Sequence, residues 1–142
     1  MQIQSFRLKN IGQFQDLSVS LAPTQQVSSN ITVFIGNNGS GKTSLLKSAT
    51  TALTWFVARL KSEKSNGTPI PEYVISNGAN SAIIEIFVKD TNPQHQAQSY
   101  NWRIVRGRVA RKTDLTSNFI ELNQLTNIYK QSLSDDEKSS LP

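Results

Sequence analysis

The sequence predicts an α/β fold in which a glycine-rich loop joins a short strand to a long helix, and three observations carry that prediction. Residues 36–43 read Gly36-Asn37-Asn38-Gly39-Ser40-Gly41-Lys42-Thr43, the spacing G-x-x-x-x-G-K-[ST]. Ile31-Thr32-Val33-Phe34-Ile35 runs directly into the first glycine as a β-branched, apolar strand. Behind Thr43 a long segment carries apolar residues at helical spacing. Strand, loop and helix in that order are the context that makes this motif credible as a nucleotide-binding loop rather than a glycine-rich turn.

The chemistry follows from the backbone. Peptide N–H groups can surround a triphosphate only where Cβ atoms do not intrude, and Gly36, Gly39 and Gly41 permit positive φ and close approach. The N–H groups of Asn38 to Thr43 are then expected to form an anion-holding concavity at a helix N-terminus, where the helix dipole also favours negative charge. Lys42 adds a point charge for the β- and γ-phosphates, and the Thr43 hydroxyl is the expected Mg²⁺ ligand. Ser44 fits either a further phosphate contact or an ordinary first-turn helix position. The predicted site is therefore Gly36, Asn37, Asn38, Gly39, Ser40, Gly41, Lys42, Thr43 and Ser44, with ATP and Mg²⁺ as ligands.

The remaining elements follow in chain order. Gln2 to Lys9 carries Ile3, Phe6 and Leu8 among polar residues and predicts a first strand. Asn10-Ile11-Gly12-Gln13 is a turn, and Leu17, Val19 and Leu21 alternate with polar neighbours in a second, antiparallel strand. Ala22-Pro23 and a polar stretch lead to the strand at 31–35. The helix after the loop shows Leu45, Leu46, Ala49, Leu53, Phe56, Val57 and Leu60 in a broad stripe, assigned to the core. It dissolves into Lys61–Gly67, with Pro69 and Pro71 beyond. Ala82 to Lys89 and Gln98 to Arg106 form a hairpin by pattern, joined by a connector from Asp90 to Gln96. His95, the only histidine, lies in that connector and is expected to be solvated. Asn118 to Leu133 places Phe119, Leu122, Leu125, Ile128 and Tyr129 at helical spacing, and Ser134-Asp135-Asp136-Glu137 has the form of an N-cap and acidic first turn of another helix.

Composition narrows the classes. At 142 residues one domain is expected, partial in content: a nucleotide-binding core over 1–60, a β-hairpin subdomain over 80–112 and a helical end over 117–142. The absence of cysteine excludes a disulfide scaffold and a cysteine-based zinc site. No basic-then-apolar leader precedes the first strand, and Ala52–Ala58, the best apolar run, is far below spanning length, so a cytoplasmic chain with no membrane partner is expected. The net charge is +5, and Arg103, Arg106, Arg108, Arg111 and Lys112 fall in a stretch from Thr91 to Thr113 without an acidic residue. Such a patch suits a nucleic-acid surface or a solvated edge strand protected by charge. Tyr100 and Trp102 alternate with Arg103, which leaves a base-stacking surface open.

Lys9-Asn10-Ile11-Gly12-Gln13-Phe14 after the first strand, together with Phe34–Leu46 around the loop, resembles the N-terminus of the RecF/SMC-like branch of ABC-type ATPases. That family carries a K-N-[FI]-[GR]-x-[FH] turn and a G-x-N-G-x-G-K-[ST] loop, matched here at 9–14 and 36–43. Within the family the chain is most similar to the stand-alone bacterial ATPases of anti-phage type, such as the Septu and retron-associated ATPases. The resemblance implies a P-loop NTPase lobe: an N-terminal antiparallel hairpin, the P-loop strand and helix, and an antiparallel β-subdomain at 82–106. It also implies a head-to-head homodimer with ATP sandwiched between the subunits.

The sequence departs from the family in having no LSGG-like signature, no switch histidine and no convincing Walker B. Ile86-Phe87-Val88-Lys89-Asp90 is the nearest imitation of the last, Asp135-Asp136 lacks a preceding strand, and Gln124 and Gln131 suit a Q-loop or a solvated helix face equally. The expectation is an N-terminal lobe ending before the catalytic carboxylates, and the catalytic residues stay unassigned. The functions in contention are the Walker A half of such an ATPase, in DNA-related or anti-phage work; an ATP-gated module for nucleic acid or an effector nuclease; and a small self-contained P-loop enzyme. The last lacks the N-K-x-D and D-x-x-G motifs of a GTPase.

Overall fold

A computed structural model describes residues 1–37 and 39–140, excluding the side chains of residues 136–140. The elements are β1 (Gln2–Ile11), β2 (Phe14–Ser20), α1 (Lys42–Lys61), β3 (Ser81–Lys89), β4 (Ser99–Gly107) and α2 (Ile120–Ser140), with a 3₁₀ turn at Glu72–Val74. The four strands form one sheet in the order β2-β1-β3-β4, antiparallel throughout. The two hairpins read from the sequence are thus halves of a single sheet, because β1 pairs with β3 from Gln2↔Lys89 to Lys9↔Ile83.

Alternation explains which face is covered. Phe6 and Leu8 of β1, Ala82, Ile84, Ile86 and Val88 of β3, and Tyr100, Trp102 and Ile104 of β4 are all buried. They share one face of the sheet because successive side chains point to opposite sides. Helices α1 and α2 lie on that face. Leu122 and Leu125 of α2 are fully buried, as the 118–133 pattern predicts. The free edge of β4 is blunted by the chain itself: Arg103 and Asn118 exchange both backbone hydrogen bonds, and Val105 N–H donates to Ser117 Oγ at 2.9 Å.

On α1 the buried face runs through Leu45, Ser48, Ala52, Trp55 and Arg59, and this corrects the predicted stripe. Leu46 and Val57 are more than half exposed. The helix is apolar on more than one side, and only the side against the sheet and α2 is covered. Arg59 is buried because its guanidinium lies over the stacked rings of Trp55 and Phe119 and donates to Glu63 O and Asn123 Oδ1.

Three other expectations change. The segment 31–35 forms no strand and pairs with none among the described residues, leaving Ile31, Val33 and Ile35 largely exposed. β-branching selects extended backbone, but a strand also needs a neighbour, and β1–β4 pair with one another. Ser134 does not start a new helix: α2 continues through it to Ser140. An N-cap residue breaks a helix only where the preceding turn lacks packing, and here Leu122, Leu125, Ile128 and Tyr129 anchor α2. The side chains of Asp136 and Glu137 lie outside the described residues. Tyr100 and Trp102 offer no stacking surface, since both are core and Trp102 Nε1–H donates to Ala52 O at 3.0 Å.

Candidate nucleotide-binding site

The loop lies against the turn between β1 and β2. Gly41, with φ 95°, is the N-cap of α1, and no side chain caps that end of the helix. The first-turn N–H groups of a helix have no intrahelical acceptor, and no acidic residue stands in the first turn to neutralise them. The result is a fixed positive end aimed at the loop. A Cβ on Gly41 would meet the Phe14 ring at 2.5 Å, so any side chain there would be strained in its backbone and would displace that ring. Gly36 differs from the expectation: its φ is not positive, and a Cβ there would stand 2.6 Å from Ser40 Oγ, so that side chain would have to shift.

Lys42 Nζ donates to Gly36 O at 2.5 Å, so the ammonium bridges the start and end of the loop. Ser40 N–H donates to Asn37 O at 3.0 Å and closes a tight turn between them. Ser40 Oγ is buried and has no hydrogen-bond partner among the described residues. Thr43 and Ser44 are exposed at the head of α1. A pocket of about 420 Å³ opens here, lined by Gly12, Gln13 and Gly39 to Ser44. The structure brings Gly39, Ser40, Gly41, Lys42, Thr43 and Ser44 to that one pocket, with Gly36 and Asn37 closing the loop behind it. Asn38 lies outside the described residues.

These features fit a nucleoside triphosphate and its magnesium. Uncapped N–H groups, an ammonium held only by a carbonyl and an orphaned hydroxyl can all turn to anionic oxygens, and the Thr43 hydroxyl is free to face a cation they carry. The metal would supply charge neutralisation across the phosphates.

Pattern reasoning missed the braces of the loop. Gln13 Nε2–H donates to Ser40 O at 2.5 Å, and the Phe14 ring abuts Gly41. The β1–β2 turn is itself held from below: Gly12 N–H donates to Val74 O at 2.7 Å and Ser76 Oγ–H donates to Gly12 O at 2.7 Å. The Lys9–Phe14 turn motif marked these residues without showing their contact with the loop; Asn10 and Gly12 take positive φ in that turn.

Several candidates fall away from the site. Asp90 caps the end of β3 that pairs with Gln2, whereas the pocket adjoins the Ile11 end of β1. At about 3.3 Å per residue the two ends of β3 lie roughly 25 Å apart, too far for Asp90 to serve a metal at Thr43. Gln124 and Gln131 sit exposed on α2 and line no part of the pocket. Three of the basic residues are structural. Arg108 donates to the carbonyls of Ile75, Ser76 and Ala79, Arg103 Nε–H to Thr116 O, and Arg111 to Asn80 Oδ1. His95 is also not solvated: its side chain is 11% exposed and paired with Asp90.

Among the described residues no helix is long and apolar enough to cross a membrane. Known proteins resemble this chain in sequence or fold. The chain is 25% identical over its whole length to the protein named "Retron Ec83 probable ATPase" of Escherichia coli, of which it spans 24%. A solved structure described under "Structural biochemistry of ATP-driven dimerization and DNA stimulated activation of SMC ATPases" superposes with a TM-score of 0.53 at 16% identity, covering 94% of this chain and 80% of that one. The fold is therefore that of an SMC ATPase lobe. Residues 5–142 match the family model described as "AAA domain", and the chain belongs to that family.

Proposed function

We propose that this chain binds Mg-ATP through Gly36 to Ser44 and serves as the Walker A half of an ATPase that works as a head-to-head homodimer. The observation that carries the reading is the uncapped N-terminus of α1, with Lys42 Nζ placed across the loop and the pocket open above it. The Thr43 hydroxyl is assigned to the metal, and the N–H groups from Gly39 onward to the phosphates. Hydrolysis requires a carboxylate from outside the site described above, supplied by further sequence or by a partner. The exposed Ile31, Val33 and Ile35 support this, because a β-branched, apolar run leading into the loop is suited to lie between other strands. DNA-related or anti-phage defence work is the context assigned to it, in keeping with the likeness to the protein named "Retron Ec83 probable ATPase".

The test is calorimetric titration of Mg-ATP into the 142-residue chain and into Lys42→Ala, with sedimentation of the same samples. Micromolar binding by the parent, with most affinity lost in the variant at unchanged circular dichroism, is expected. Equal affinity in the two would end the role given to Lys42. A parent that binds Mg-ATP but stays monomeric at every concentration would remove the homodimer from the proposal.

A further inference from the structure

The β3–β4 connector carries a second polar constellation at the other end of the sheet. The Asp90 side chain is fully buried, and its Oδ2 lies 2.7 Å from His95 Nδ1. On the far side of the ring, His95 Nε2 lies 2.6 Å from Ser132 Oγ of α2. The other carboxylate oxygen of Asp90 accepts Asn92 N–H at 3.1 Å and faces the Tyr129 hydroxyl at 3.5 Å. His95 N–H donates to Asn92 O at 3.0 Å, which closes the connector, and the ring meets Tyr129 edge-on. The imidazole is thus held on both nitrogens and on one face.

The order of these groups has a chemical consequence. A buried carboxylate on Nδ1 favours the tautomer with its proton on Nδ1, leaving Nε2 as an acceptor for the serine O–H. A hydroxyl, a base within hydrogen-bond reach and a third group orienting the base make up the general signature of an activated nucleophile. Mere docking of the connector onto α2 would need one hydrogen bond and no buried carboxylate behind it.

We propose that Ser132 is such a nucleophile, accepting an acyl or phosphonyl group from small activated esters. The backbone N–H groups around Ser132 are taken up by the helix ladder of α2 and provide no oxyanion donors. The site is therefore a stoichiometric acceptor rather than a turnover hydrolase. Ser132 is part-exposed, with Leu133 beside it largely exposed. With a fluorophosphonate, the Ser132 Oγ–P bond forms, the P–F bond breaks, fluoride departs, and the hydroxyl proton passes to His95 Nε2.

The experiment treats the full 142-residue chain with a fluorophosphonate probe and maps the adduct by peptide mass spectrometry. The expected result is an adduct on Ser132 in preference to the other serines of the chain. The labelling rate should fall about a hundredfold in His95→Gln, the scale of a lost general base, and the adduct should be absent in Ser132→Ala. His95→Gln keeps a polar group on the connector, and circular dichroism verifies its fold. If that variant does not fold, selectivity for Ser132 over the other serines of the parent decides. No adduct on Ser132 of the folded parent, equal labelling of many serines, or an unchanged rate in folded His95→Gln would each overturn the proposal.

Discussion

At Gly41 a single hydrogen atom in place of a side chain supports three features at once. Its φ of 95° starts α1, its lack of Cβ admits the Phe14 ring, and its neighbours supply the N–H groups of the pocket. Gly41→Ala should cost about 1–3 kcal/mol of stability through backbone strain, with an added clash against Phe14, and should abolish Mg-ATP binding. Chemical denaturation and calorimetry on the same variant check both, and an alanine chain that binds as tightly as the parent would refute the role. The Arg7–Asp16 pair is a useful contrast. Its bidentate bond, at 2.9 and 2.7 Å, lowers the Asp16 carboxyl chiefly by that hydrogen bond, yet both side chains are about half exposed. A depressed carboxylate stabilises above its unfolded pKa and loses that contribution as pH falls; solvent screening keeps the contribution small here.

At the scale of elements, Arg108 is the most connected of the side chains that tie the end of β4 to the rest of the fold. The Arg108 guanidinium gathers the carbonyls of Ile75, Ser76 and Ala79, at 2.7 to 3.0 Å, and so ties the end of β4 to the segment that props up the β1–β2 turn. Val74 and Ser76 of that same segment hold Gly12 at the pocket. Arg108→Ala leaves these carbonyls without their cationic donor and should cost about 1–3 kcal/mol. It should also weaken Mg-ATP binding, because the turn carrying Gln13 loses its support. A melting curve with and without Mg-ATP checks both effects, and an unchanged midpoint would mean that the carbonyls find water instead. The connector and α2 form the other coupled pair of elements, through Asp90, His95 and Ser132.

For the molecule as a whole, the net charge of +5 invites a nucleic-acid partner, but the structure reduces the residues available to it. Arg103, Arg108 and Arg111 are committed to carbonyl and amide oxygens, which leaves Arg106 and Lys112 as the candidate phosphate contacts of that stretch. If nucleic acid binds there, Arg106→Glu with Lys112→Glu should weaken binding and reduce its salt dependence by about two phosphate contacts; a titration at several salt concentrations that shows no change would exclude this surface. The loop, α1 and both hairpins were legible in the sequence, because each depends on neighbours within a few residues: glycine spacing, alternation of period two, apolar recurrence of period 3.6. The side of α1 that faces the core was not legible, since Leu46 and Val57 are as apolar as Leu45 and only the position of the sheet chooses among them. His95 was misjudged for the same reason, as its partner Ser132 stands 37 residues away. The sequence by itself determined a glycine-rich loop of G-x-x-x-x-G-K-[ST] spacing at the head of a helix, because that pattern is local and backbone-borne. Only the tertiary structure decided that the two hairpins share one sheet, that Gln13 and Phe14 brace the loop, and that the arginines serve the fold, because each depends on groups brought together from distant parts of the chain.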